Sequence, residues 1–212
     1  MKTRVIISLI AMTFLWSCAT SMKYTWTKDN FEGKEFDKIL VLTITKNLKS
    51  RTLFENTVVE YFAEGGVNAT SSLSVFTPVE KMEDLSEDEI EARIQKGNYD
   101  GVLVTTLVDV NTQDVQVNNT TPYYPMSYGG YGYGYRSFIY SGYGNMYNQD
   151  YYREQKTYVL ESRLYDVSES DPKEAVVWSG QSELVDPSGS ESASKRYSDI
   201  LVKSLLESGT IK

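Results

Sequence analysis

The chain contains no histidine and a single cysteine, Cys18. An imidazole general base, a Cys-His zinc site and an intramolecular disulfide are therefore excluded. Positive charge is also in deficit, with 21 Lys and Arg against 29 Asp and Glu. An acidic chain is no electrostatic match for nucleic acid or for an anionic membrane surface. After residue 16 there is no apolar run near the ~20 residues that a bilayer-spanning helix needs. For side-chain chemistry, only Asp, Glu, Ser, Thr, Lys and Tyr remain.

What is present begins at the amino terminus. Lys2 and Arg4 are followed by the nearly unbroken apolar run Val5 to Trp16. That run has the length of a signal-peptide core and is too short to span a bilayer stably. It ends in Leu15-Trp16-Ser17-Cys18, the lipobox pattern of bacterial lipoproteins, with Trp16 where a small residue is usual. Residues 1–17 read as a cleaved signal, with cleavage between Ser17 and Cys18. The thiol of Cys18 would receive a diacylglycerol. The competing reading is an ordinary secretory signal with an incidental cysteine, or an N-terminal anchor helix. Each buried methylene of an acyl chain contributes about 0.8 kcal/mol, so two or three chains hold a protein on its membrane without a transmembrane helix. No acidic residue follows Cys18 in Ala19-Thr20-Ser21. This points to outer-membrane delivery and a periplasm-facing domain. Lipidation also removes the only thiol from any nucleophilic account.

Loss of the leader removes Lys2 and Arg4, so the formal net charge of −8 becomes about −10 in the mature protein. Residues 18–35 are polar with aromatics and read as a lipidated tether. Residues 36–212 read as a single α/β domain with a Tyr/Gly-rich stretch, 122–152, inserted. Ile39-Leu40-Val41-Leu42 is a continuous apolar run, as expected of a strand buried on both faces. Arg51 to Glu64 is helical, with Phe54, Val58, Tyr61 and Phe62 on one face and Gly65-Gly66 as its stop. Val67 to Phe76 reads as a more polar strand. Ser86 and Glu89 form a capping box, and Leu85 can staple onto Ile90. Ile90 and Ile94 mark the buried face of that helix, and Gly97 ends it. Val102-Leu103-Val104 is another buried strand, continued by the alternation of Val115 and Val117. Lys156 to Val167 alternates, with Tyr158, Leu160 and Leu164 on one face. Glu174 to Val185 is its hairpin partner, with Val177 and Trp178 as core candidates. Glu191 to Ser208 is helical, with Tyr197, Ile200, Leu201 and Leu205 on its buried face and Gly209 as its cap. The expected fold is α/β (α+β): one mixed sheet of about five strands with about three helices packed on it.

This order resembles a group of small envelope domains. Phe36 to Leu42 resembles their opening strand, Arg51 to Gly66 their first helix, and Tyr99 to Val104 their third strand. Leu164-Tyr165-Asp166-Val167 followed by Val176-Val177-Trp178-Ser179-Gly180 is similar to a closing hairpin common in outer-membrane lipoproteins. The group includes the periplasmic part of the curli-secretion lipoprotein, the amino-terminal domain of the Tol-system propeller protein, and lipoprotein activators of penicillin-binding proteins. The resemblance implies a fold and a binding or scaffolding role. It assigns no functional residue, and no equivalent of the membrane-inserting hairpins of the curli pore is present.

The Tyr/Gly stretch offers flat aromatic faces with hydroxyl edges on a permissive backbone, a composition suited to stacking on sugars or covering a protein partner. Tyr128, Tyr131, Tyr133, Tyr135, Tyr140 and Tyr143 are the candidate partner contacts. A low-complexity loop without a ligand, or a self-association segment, are the competing readings. Gly130-x-Gly132-x-Gly134 is no phosphate cradle, since no helix follows it.

Three catalytic patterns are weak. Ser192-Ala193-Ser194-Lys195 matches S-x-x-K, but its companion motifs are missing and the chain is short for that fold. The acids Glu83, Asp84, Glu87, Asp88, Glu89 and Glu91 suit a helix N-terminus and a solvated face better than a cation site. Asp109 and Asp114 have no spacing that makes them converge. The expectation is therefore a non-enzymatic lipoprotein, without cofactor or metal, that binds an envelope protein or glycan. The oligomeric state is open. A carboxylate-dependent hydrolase of envelope polymers and a subunit of a secretion or fibre assembly are the alternatives. Pull-down from envelope extracts with and without residues 123–152 tests the contact role: deletion should lose partners, and an unchanged partner set would remove that role.

Overall fold

A computed structural model describes residues 21–78, 80, 82–112, 134, 156–185 and 187–212. Cys18, the signal, and Tyr128, Tyr131, Tyr133, Tyr135, Tyr140 and Tyr143 lie outside the described residues, as do Asp114, Val115 and Val117. The elements are β1 (Tyr24–Thr27), β2 (Ile39–Ile44), α1 (Leu48–Glu64), β3 (Ala69–Ser71), α2 (Glu87–Lys96), β4 (Gly101–Thr112), β5 (Lys156–Asp166), β6 (Val176–Val185) and α3 (Ser190–Glu207). Among the described residues the six strands form one mixed sheet, in the order β1-β6-β5-β4-β2-β3. β2 is parallel to both β3 and β4, while β4, β5, β6 and β1 are antiparallel in turn. No helix of the described residues is long and apolar enough to cross a membrane.

The unbroken apolar run of β2 has the expected cause. Ile39 and Val41 face the layer of α1 and α3, where Phe54, Val58, Phe62, Tyr197, Leu201 and Leu205 pack. Leu40, Leu42 and Ile44 face the other layer, where Ile90 and Ile94 of α2 meet Phe76 and Met82. Every residue of β2 is buried. The result is a sandwich of two helices, one sheet and one helix.

Local signals set the helix ends. Ser86 Oγ accepts from Glu89 N–H and the Glu89 carboxylate accepts from Ser86 N–H, which is the expected capping box. Leu85 packs into the same cluster as Ile90. α1 begins a turn earlier than Arg51, because the Asn47 side chain accepts from Ser50 N–H at 3.0 Å. It stops at Gly65-Gly66, with Gly66 at a φ of +79°.

Two strands differ from expectation. The stretch Val67 to Phe76 yields only the short β3, followed by a 3₁₀ turn at Ser72–Ser74. Ser71 accepts from Leu73 N–H, and serine side chains that engage nearby groups draw the backbone out of the ladder. The sixth strand, β1, lies in the segment expected to be tether. It pairs with β6, and Met22 just before it is buried in the core. Gly180 of β6 permits this docking. A Cβ there would stand 2.4 Å from the Trp178 ring and 2.7 Å from Met22 Cε. The β5–β6 register shifts at Leu164/Tyr165, which leaves Val177 as the extra residue of a bulge between Val176 and Trp178.

Ile94→Ala should lower unfolding stability by about 2–5 kcal/mol, and Ser86→Ala by about 1 kcal/mol. Urea denaturation with an unchanged m value checks both.

Candidate functional site

A cleft of about 330 Å³ opens beside the carboxyl end of β2 and the middle of its parallel neighbour β4. Ligands of open α/β sheets gather at such ends. Thr43, Thr105 and Leu107 supply one part of its floor, and Tyr158, Leu160 and Leu184 of β5 and β6 another. The first turns of α1 (Ser50, Phe54) and α3 (Ser190, Ala193, Ser194, Tyr197) form the opposite wall. The Phe54 and Tyr197 rings meet at its inner end, with centroids 5.7 Å apart and planes tilted by 42°.

The cleft is mostly hydrocarbon with hydroxyls set into it. Thr105 Oγ1 and Ser162 Oγ are 2.7 Å apart, and Ser162 Oγ is 3.0 Å from the Tyr197 hydroxyl. Burial pushes the Tyr197 phenol far above its ordinary pKa, outweighing the opposing hydrogen bond from Ser162, so it remains protonated. Thr43 Oγ1 is buried with no hydrogen-bond partner among the described residues. Among the described residues, no Asp, Glu, Lys or Arg lines the cleft.

The wall is held from behind by a buried carboxylate. Glu55 of α1 is fully buried, and its Oε1 accepts the Thr43 N–H at 2.9 Å and Arg51 Nε at 3.0 Å. Ser71 and Ser72 donate to the same group at 2.6 to 2.9 Å, and Arg51 also donates to Ser72 Oγ. A second buried carboxylate, Glu161 of β5, accepts from Arg163 Nε at 2.6 Å and from Gln181 Nε2 at 2.9 Å. Neither lines the cleft, so no facing carboxyl pair of the kind glycoside hydrolysis uses occurs there among the described residues.

The other candidates are placed as follows. Ser192 and Lys195 are exposed on α3, and Lys195 pairs with Glu191 at 2.9 Å. The hydrogen bond to Glu191 pushes the Lys195 ammonium pKa up, the opposite of what a general base requires. Glu87, Asp88 and Glu89 occupy the first turn of α2, and no group of metal-ligating side chains gathers among the described residues. Asp109 Oδ1 accepts its neighbour Val110 N–H. Ser17, Cys18 and the candidate contact tyrosines lie outside the described residues. The cleft itself has no signature in the sequence. The alternation of Tyr158, Leu160 and Leu164 marks a core face, and nothing local says that small residues on α3 leave that face partly uncovered.

Arg51→Met strands the Glu55 carboxylate and should cost about 3–5 kcal/mol of stability. Glu55→Gln keeps an acceptor for Thr43 N–H and should cost less than Glu55→Leu, as read by denaturant midpoints.

No family model matches the chain, and no curated protein does. Among solved structures it is similar to PelC dodecamers from Paraburkholderia phytofirmans in two crystal forms, at 13% identity and TM-scores of 0.43 and 0.42. Each covers 84% of this chain, and 96% or 93% of that one. It is also similar to lipoprotein GNA1162 from Neisseria meningitidis, at 13% identity and a TM-score of 0.36, over 80% of this chain and 98% of that one. None of these belongs by its description to the curli-secretion, Tol or penicillin-binding-protein-activator group that the sequence resembles.

Proposed function

We propose that this chain is a lipid-anchored envelope lipoprotein, held on the outer membrane and facing the periplasm, that binds an envelope protein or glycan without catalysing a reaction. The observation that carries the binding role is the cleft. It combines apolar walls with a few convergent hydroxyls, the usual make-up of a recognition site. Its lining among the described residues supplies no paired acid and base, and the lysine of the S-x-x-K pattern is engaged by Glu191 outside it. The anchor is supported by the sequence Leu15 to Cys18, and the docking of Met22 and β1 onto β6 brings the folded domain to within a few residues of the lipid site.

Two measurements test the reading. Cys18→Ala should abolish lipid labelling and release the protein from the membrane fraction, and retention would overturn the anchor. A photocrosslinking side chain at Ser190, on the cleft rim, should capture a discrete envelope component, whereas one at Lys96 on α2 should not. Equal capture from both positions would overturn the cleft as the binding site.

A further inference from the structure

The strand directions bring the amino terminus to the cleft. β6 runs the same way as β2, because β4 is parallel to β2 and β5 turns back between β4 and β6. β6 therefore finishes at the end of the sheet where the cleft opens, and Leu184, Pro187 and Gly189 line the cleft. β1 is antiparallel to β6, so the chain before Tyr24 runs toward that same end. Lys23 N–H donates to Gln181 O at 2.7 Å, and the Lys23 ammonium pairs with Glu183. Cys18 stands four residues before Met22, and four residues of extended chain span ~14 Å at most. An acylated Cys18 thus holds the cleft end of the domain, and not the far end, against its membrane.

The surface of that end is apolar. Among the described residues only Tyr24, Leu48 and Val185 are large exposed hydrophobics. Leu48 lies between Thr45 and Ser50, and Val185 between Leu184 and Pro187, all four of which line the cleft. They are 44% and 49% exposed, so they continue the cleft lining onto the surface. Inside, Thr43 Oγ1 is buried and Thr105 and Tyr197 are wholly buried, so these hydroxyls present no surface to a ligand. What faces an occupant is the half-buried hydrocarbon of Leu107, Tyr158, Leu160, Pro187 and Ala193, with Ser190 exposed at the rim.

We infer that the cleft end of the domain docks on the lipid bilayer, with Leu48 and Val185 at the hydrocarbon boundary and one acyl chain of a bilayer phospholipid in the cleft. This rests on Cys18 as the anchor and goes beyond the reading of the cleft as a site for a protein or glycan, since such a partner would have to displace the lipid. An acyl chain is out of water in the bilayer or in the cleft, but the cleft lining is out of water only when occupied. A cavity of about 330 Å³ is at the small end of ligand sites, so it takes one chain and the rest of the lipid stays in the bilayer.

The test uses the mature protein, its Cys18 lipid verified by intact mass, in phosphatidylcholine nanodiscs. With Cys18 lipidated, Leu48→Cys, Val185→Cys and Lys96→Cys each add a single free thiol for a bimane label. Lys96 ends α2 at the opposite end of the sheet, where Lys38 Nζ reaches Gly97 O. Doxyl-bearing phosphatidylcholine should quench the labels at 48 and 185 and spare the one at 96. Equal quenching at all three, or none at 48 and 185, overturns the docking. A benzophenone side chain at Ser190 should yield, on irradiation, a phosphatidylcholine adduct by mass. Ala193→Phe, which fills the cleft, should lose that adduct, with Ser50→Trp as the second blocking variant if Ala193→Phe melts early. An adduct retained in a folded blocking variant, or one joined to the Cys18 lipid itself, overturns the bilayer phospholipid as occupant. In native envelopes, capture of a protein or glycan without lipid overturns the inference and leaves the cleft as a binding site. No adduct of any kind overturns both.

Discussion

Glu55 is fully buried in α1, and the backbone N–H of Thr43, the Arg51 guanidinium and the hydroxyls of Ser71 and Ser72 converge on its two oxygens. A buried carboxylate without such partners is strongly unfavourable, so the arrangement holds only when α1, β2 and β3 stand together. Much of the rest follows from this knot. It ends β3 after three residues, because Ser71 and Ser72 turn their hydroxyls to the carboxylate and the backbone passes into a 3₁₀ turn. It also positions Thr43 at the carboxyl end of β2, where the cleft begins.

The cleft exists because large and small residues are unevenly distributed over one sheet face. Nearer the amino end of β2, Val58, Phe62, Leu201 and Leu205 fill the space between sheet and helices. At the opposite end α3 presents Ser190, Ala193 and Ser194, and the sheet presents Thr43 and Thr105. These side chains are too short to meet across the gap, so the Phe54–Tyr197 pair closes the inner end and leaves the outer end open. Hydroxyls in such a place cost stability unless something pairs with them.

Elements whose formation depends on near neighbours in the chain are legible in the sequence alone. The capping box at Ser86 and Glu89, the buried run Ile39 to Leu42 and the hairpin of β5 and β6 are of this kind. β1 is not, since Tyr24 to Thr27 becomes a strand only when β6 offers an edge and Gly180 leaves room for Met22. The early start of α1 is available in principle from Asn47, which has the chemistry of a helix cap.

By itself the sequence determined the absence of histidine and the presence of a single thiol, at Cys18, which limits the chemistry open to the chain whatever its fold. It also determined the helices and the two-faced central strand, because hydrophobic periodicity and caps act over a few residues. Only the tertiary structure decided that Thr43, Thr105, Tyr158 and Tyr197, drawn from four distant segments, share one cleft. It likewise decided that Glu55 and Glu161 are buried structural acids rather than a facing pair. Burial and pairing arise from strand order and helix docking, and those depend on contacts between segments far apart in the chain.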